Sequence, residues 1–296
     1  MSPYVKKARI HSDGTFKTSP NLFYQLYIIH LWHHQKMFPC VYTIMTDKSE
    51  ASYRRVIYEI KNGCLKLGKI FNPNIVLTDY EQAAINAFKF HFPSIEVQGC
   101  FFHYGQCLFK KLIELGFKKQ YGEYPKFKNW FKQLVVLALI PPKDIETAFE
   151  YALDFTDEFD KDEIDSTKLE AFTDYVFDTW VCVNAIFSSS MWNHYDNLTD
   201  PRTNNHNEGF YLKLSKMFPD KKPNIWAFIE KIKKLESSYS LEFERGQTGK
   251  NKNKNWRSNK DLRRDIDIST QLREYAEQRI DLETLISKLS DLVHEF

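Results

Sequence analysis

The stretch Ile75-Val76-Leu77-Thr78-Asp79-Tyr80-Glu81 is a short apolar run that ends on a carboxylate, and a helix-like sequence, Gln82 to Phe92, follows at once. A strand that delivers an aspartate at its C-terminal tip holds that acid rigidly at the edge of a sheet. Two other carboxylates are placed to join it. Asp13 sits in Asp13-Gly14-Thr15-Phe16, after a basic, partly apolar start. Glu208 sits in Arg202-Thr203-Asn204-Asn205-His206-Asn207-Glu208-Gly209, at the head of another helix-like run. The three acids are expected to meet in space and hold divalent metal, because Mg²⁺ is a hard ion that prefers carboxylates and water. Each acid also has an ordinary alternative. Asp13-Gly14 is a turn pair, Asp79 is an N-cap for the helix after it, and Glu208 is a first-turn acid that suits the helix dipole.

Upstream of this stretch, residues 4–12 form a first strand leading to Asp13. Phe23 to Trp32 is β-branched and aromatic and reads as a second. Phe38 to Met45 reads as a third, with Pro39 near its start, where a missing N–H is tolerated. Short links between them predict an antiparallel meander. Ser49 to Leu67 is helical, with Val56, Ile60 and Cys64 four apart. Asn72-Pro73-Asn74 breaks the chain before the strand at Ile75. Downstream, Pro93 stops a second helix, Ile95 to Cys100 alternates as a short strand, and Phe101 to Gly116 is helical.

From residue 117 strand signals disappear. Tyr124 to Ile140, Asp144 to Phe155 and Ser166 to Ile186 read as helices, and the aromatic residues Trp130, Trp180 and Trp192 among them read as core. Glu208 to Phe218 and Asn224 to Leu241 are helical again. Residues 245–264 are rich in Lys, Arg, Asn and Gly, which suits a flexible basic linker. Leu282, Leu285, Leu289 and Leu292 mark a last amphipathic helix. The expected organisation is a core in residues 1–116, a helical insertion in 117–200, final core helices in 201–241, a basic linker in 242–269 and a C-terminal helix in 270–296.

With 296 residues, 43% of them hydrophobic, the chain is long enough for a full core. A net charge of +2 announces no nucleic-acid partner, so any such case rests on local patches. Five cysteines spread thinly do not make a disulfide framework. There is no secretory signal, and no apolar run reaches the roughly 18 residues of a membrane helix.

The order β-β-β-α-β-α-β-α, a helical insert, then α fits an α/β (α+β) fold of ribonuclease-H-like type: a mixed sheet flanked by helices and interrupted by an all-helical insertion. The sequence resembles the transposase domain of Mutator-like elements, the MULE family. The resemblance lies in Asp13-Gly14-Thr15-Phe16-Lys17, Thr78-Asp79, Gly99-Cys100-Phe101-Phe102-His103, Trp192-Asn193 and Arg202 to Glu208, over about residues 8 to 220. It implies a DDE triad of Asp13, Asp79 and Glu208 that binds two Mg²⁺ or Mn²⁺ ions, cleaves DNA and transfers the strand. DNA is then the partner, the nucleus the compartment, a homodimer the assembly, and no small-molecule cofactor or membrane is called for.

The family's C-x-x-H motif falls on Cys100 and His103. Two residues three apart share a helix face, and Cys107 follows on it, but zinc lacks a fourth ligand there. Cys100 reads better as a small buried residue, and His103 as a group orienting DNA or the scissile phosphate. Arg202, Asn204, Asn205, Lys250, Lys252, Lys254 and Arg257 are candidate DNA contacts, with Lys110, Lys111, Lys118, Lys119, Lys126 and Lys128 a further basic surface. Leu282 to Leu292 is either a dimer interface or packed on the core. Full-length family members carry an N-terminal DNA-binding zinc finger, and Asp13 lies almost at the start here, so a truncated or domesticated product is expected. The alternative to a transposase is a non-catalytic, transposase-derived module for DNA binding or protein interaction.

Overall fold

The computed structural model describes residues 8–33, 36–160, 162–197, 202, 208–219, 222–247 and 259–293. By backbone contacts the chain divides into two compact units, each made from two separate segments: Met1–Cys100 with Asn204–Trp256, and Phe101–Thr203 with Arg257–Phe296.

The first unit holds the sheet. Its strands are β1 (Arg9–Thr15), β2 (Gln25–His33), β3 (Lys36–Met45), β4 (Ile75–Thr78) and β5 (Glu96–Gly99), in the order β3-β2-β1-β4-β5. The first three strands form the expected antiparallel meander, and β1–β4 and β4–β5 are parallel. The sheet is therefore mixed, with β1 at its centre. All four residues of β4 are buried. That is why its sequence reads as a continuous apolar run without alternation.

Helices cover both faces. Side chains alternate across a strand, so Tyr27 points to one side and Leu26 and Ile28 to the other. Tyr27 meets Tyr53 of α1 (Glu50–Lys66) edge to face at 5.0 Å, and α1 packs on α2 (Gln82–His91). Leu26 and Ile28 pack with Phe210 and Leu214 of α9 (Glu208–Met217) and Phe228, Ile232 and Leu235 of α10 (Ile225–Gln247). Ser49 caps α1 by accepting from the Ser52 amide, which satisfies one orphan donor of the first turn.

The second unit is helical. It contains α3 (Phe101–Glu114), α4 (Lys118–Glu123), α5 (Pro125–Val136), α6 (Ile145–Asp154), α7 (Ser166–Val176), α8 (Ser189–Trp192), α11 (Asn259–Ala276) and α12 (Leu282–Leu292). Its centre is aromatic, and Trp130, Trp180 and Trp192 are indeed core. Tyr104 stacks on Trp192 at 5.1 Å and meets Trp180 edge to face at 4.9 Å. The polar tips find carbonyls: Tyr104 Oη donates to Leu134 O at 2.9 Å and Trp130 Nε1 to Ala152 O at 2.8 Å.

Three expectations need adjustment. Strand β1 runs on through Asp13 and Gly14, which pair with Ile28 and Tyr27, so the Asp-Gly pair is in the sheet and not in a turn. The stretch 242–269 is helical at both described ends, in α10 to Gln247 and in α11 from Asn259; residues 248–258 lie outside the described residues. The stretch from 270 is two helices broken at Gln278, whose φ is +58°, with Asp281 capping the second through the Thr284 amide. Leu285, Ile286 and Leu289 of α12 are buried, and α12 packs on α5 and α6. That apolar face is used inside its own unit and is not a surface for a second copy.

His30 of β2 is buried against the Phe210 ring at 5.2 Å, and burial pulls its pKa down to about 3. The folded state thus favours neutral imidazole. The associated stability is present above the ordinary histidine pKa of about 6.5 and declines as pH falls toward the folded value. The unfolding free energy measured with denaturant from pH 7 to pH 4 should fall with a slope of up to about 1.4 kcal/mol per pH unit from this group, and His30→Phe should flatten that slope.

Candidate metal centre

Asp13 and Asp79 come together at one end of the sheet. Arg9, Ile10 and His11 of β1 pair in register with Ile75, Val76 and Leu77 of β4, so the parallel strands carry Asp13 and Asp79 to matching positions two residues further on. Carboxylate oxygens of the two residues lie within 4.8 Å of each other. Both point to the α9 side of the sheet, as Asp13 pairs with Ile28. Asp79 is not a helix cap. The N-cap of α2 is Glu81, whose carbonyl accepts from the Ile85 amide.

Behind the acids, on the opposite face, is a hydroxyl clamp. Ser12 Oγ donates to Thr78 Oγ1 at 2.9 Å, and both residues are buried. Tyr27 is buried on the same side, and burial keeps its phenol protonated far above the usual range, opposed by the nearby Ser12 hydroxyl and helped by the charges of Asp79, Glu81 and Asp13. Beside Asp79, the Tyr80 ring lies where a Cβ on Gly99 would be. Glycine at the end of β5 is what lets that ring close over the strand tips. Glu81 is paired with Lys48 at 2.9 Å, tying the start of α2 to the loop after β3.

Helix α9 reaches the same place. Burial raises the Tyr211 pKa most, and the nearby Asp13 carboxylate raises it further, with a smaller push from Asp79. Glu208 opens α9, three residues before Tyr211; its side chain lies outside the described residues. So do Asn204, Asn205, Lys250, Lys252, Lys254 and Arg257.

The remaining expected residues fall as follows. Cys100 is buried, and its amide donates to Thr78 O at 2.9 Å, extending the β4–β5 pairing by one residue. Among the described residues no group of three close metal-binding side chains includes a cysteine, so zinc finds no ligand set there. No disulfide joins any of the five cysteines. His103 lies on the first turn of α3 and is half-buried. Arg202, read as a DNA contact, is only 9% exposed and is ion-paired with Asp265 inside its own unit; the structure spends its guanidinium internally. Of the further lysines, Lys111, Lys119 and Lys126 face Glu114, Glu123 and Glu158 at 3.5, 3.9 and 3.5 Å, which dilutes that basic surface.

Two carboxylates at the C-terminal ends of adjacent parallel strands, in a mixed α/β sheet flanked by helices, define a protein built around a paired-acid edge. In a comparison with family models, residues 9–106 match the MULE transposase domain. The resemblance read from the sequence is thus shown over a span that contains Asp13, Asp79, Cys100 and His103 and ends before Glu208. No curated protein matches the chain. A MULE transposase domain supports a transposase-type function, DNA as partner and use of a divalent metal. Among the described residues no helix is long and apolar enough to cross a membrane.

Sequence reasoning passed over Ser12, Tyr211 and Gly99. A signal for the first was present. Each strand-borne acid is preceded by a hydroxyl residue, Ser12-Asp13 and Thr78-Asp79, and parallel register puts such pairs side by side. Thr78→Val leaves the buried Ser12 hydroxyl short of an acceptor, and chemical denaturation should record a loss of about 1–3 kcal/mol.

Proposed function

We infer that this chain is a DDE-type transposase domain of ribonuclease-H-like fold, which cuts DNA strands and joins them with the help of divalent metal. The observation that carries the reading is the approach of the Asp13 and Asp79 oxygens to within 4.8 Å. The donor set fits the ion. Carboxylate oxygens suit hard ions such as Mg²⁺ or Mn²⁺, and two carboxylates this close suit a shared site. Asp13 and Asp79 would hold the ion, with Glu208 as the third acid.

The place of Glu208 is supported by its helix. Positions three apart lie on one face, and Tyr211, three residues on, is close enough to Asp13 for that carboxylate to raise its pKa. The mixed sheet, with one acid on its first strand, one past its fourth and a third candidate on a late helix, supports the ribonuclease-H-like reading.

A metal pair held by Asp13, Asp79 and Glu208 would supply activation of the attacking oxygen and stabilisation of the leaving one in an in-line displacement. The residues of this chain have the tasks of holding and orienting. Tyr211, kept neutral by burial and by the adjacent carboxylates, puts an uncharged hydroxyl beside Asp13. The Ser12–Thr78 bond locks the separation of the two strand tips, so the ligands are set before the ion arrives. Following the family motif, His103 orients the scissile phosphate. A nuclear location is the compartment this DNA substrate requires.

Asp79→Asn should bring Mn²⁺-dependent cleavage of a DNA duplex to background while the circular dichroism spectrum stays native. Titration calorimetry should lose Mn²⁺ binding in Asp13→Asn and Asp79→Asn alike. Wild-type protein that binds no Mn²⁺, or an Asp79→Asn variant that still cleaves, would favour a non-catalytic DNA-binding or interaction module.

A further inference from the structure

Residues 16–24, which link β1 to β2, present bare apolar and aromatic side chains from a firmly held backbone. Phe16 is 47% exposed, Tyr24 52% and Leu22 91%. The Phe16 and Tyr24 rings meet edge to face, 5.3 Å between centroids and 72° between planes. Lys48 lies 4.7 Å over the Phe16 ring. The segment is pinned along its length. Phe23 N donates to Pro20 O at 3.1 Å, Asn21 N to Pro223 O at 3.2 Å, Tyr24 N to Met45 O at 2.8 Å, and Ser19 Oγ to Phe23 O at 3.2 Å. Thr18, Ser19 and Pro20 are buried beneath it. Leu22 is held at φ +75°, a left-handed conformation costly for leucine and sustained only when the surroundings impose it. Solvent-facing rings on an ordered loop have had their ordering entropy removed in advance.

This loop adjoins the paired acids. Phe16 is three residues past Asp13, about 10 Å along an extended chain. Lys48 also pairs with Glu81, two residues past Asp79, so one lysine bridges the ring and the β4 side of the site. Lys17, next to Phe16, is exposed as well. The combination of ring faces and ammonium groups matches one polyanion, a nucleic acid strand. Paired bases in a duplex show a protein only their edges, whereas unpaired bases offer π-faces to aromatic side chains. The distance of about 10 Å equals roughly three stacked base steps of 3.4 Å.

Building on the reading of the chain as a DNA-cutting domain, we propose that the Phe16–Leu22–Tyr24 loop is a binding platform for an unpaired nucleotide of the DNA strand, within about three nucleotides of the phosphate held at Asp13 and Asp79. Tyr24, propped by Phe16, takes the base by stacking; Leu22 separates it from its neighbour; Lys17 and Lys48 face the backbone.

The test is fluorescence anisotropy of the full chain in EDTA, with a labelled oligodeoxythymidylate and the matching duplex. Wild type should bind the single strand more tightly than the duplex. Phe16→Ala/Tyr24→Ser should weaken single-strand binding about tenfold or more, and Tyr24→Trp should retain it. Scanning one abasic position along the strand should reproduce the loss in wild type at a single register and have no further effect in the double variant, which distinguishes lost stacking from a general defect. Should the double variant unfold, Tyr24→Ser alone, at a half-exposed ring, is read against Tyr24→Trp in the same way. A folded variant that binds the single strand as wild type does, duplex-only binding, or no abasic register overturns the proposal. Binding in EDTA needs no metal, so cleavage that survives Asp79→Asn would sink the catalytic reading and leave this result standing.

Discussion

The hydrogen bond from Ser12 to Thr78 is buried and easy to overlook, yet it fixes where the acids of this protein stand. It joins two strands that run parallel, at the point where each is about to deliver a carboxylate. A buried hydroxyl left without a partner is costly, so the bond specifies register as well as adding stability. A slip of one residue would break it and set Asp13 and Asp79 on opposite faces of the sheet. The acids are like charges and repel. Their proximity is imposed by the sheet, and α9 sets the neutral Tyr211 hydroxyl, not a further charge, beside Asp13.

The two faces of the sheet divide the labour. On the α1/α2 side lie the clamp and Tyr27, sealed from water. On the α9/α10 side lie the acids, above the apolar packing of Leu26 and Ile28. Glycine enters at one critical place, Gly99, where the Tyr80 ring takes the volume of an absent side chain. The result is a rigid edge from which few atoms project.

Much of this arrangement was legible in the residues. The buried run Ile75–Thr78 and the β-branched stretches before it carry strand character in composition alone, and the cap at Ser49 marks α1. Asp13 was harder to read. Asp-Gly is so common a turn pair that only pairing with Ile28 and Tyr27 reveals it inside a strand. The region beyond residue 242 misled for a different reason. Lys, Arg and Asn suggest a solvated linker, but Ile268 and Leu272 of α11 are buried, and tertiary packing overrides weak local preference. Arg202 has no sequence signal at all, since its partner Asp265 is remote in the chain. The likeness to MULE transposases rests most securely on residues 9–106.

Each compact unit is stitched from two lengths of chain that alternate along the sequence. During synthesis the ribosome therefore releases all five strands first, with Asp13 and Asp79, long before the helix that begins at Glu208 emerges. Residues 101–203 must be made and gathered in between. The Leu26–Ile28 face of the sheet gains its α9 and α10 cover only after that interval.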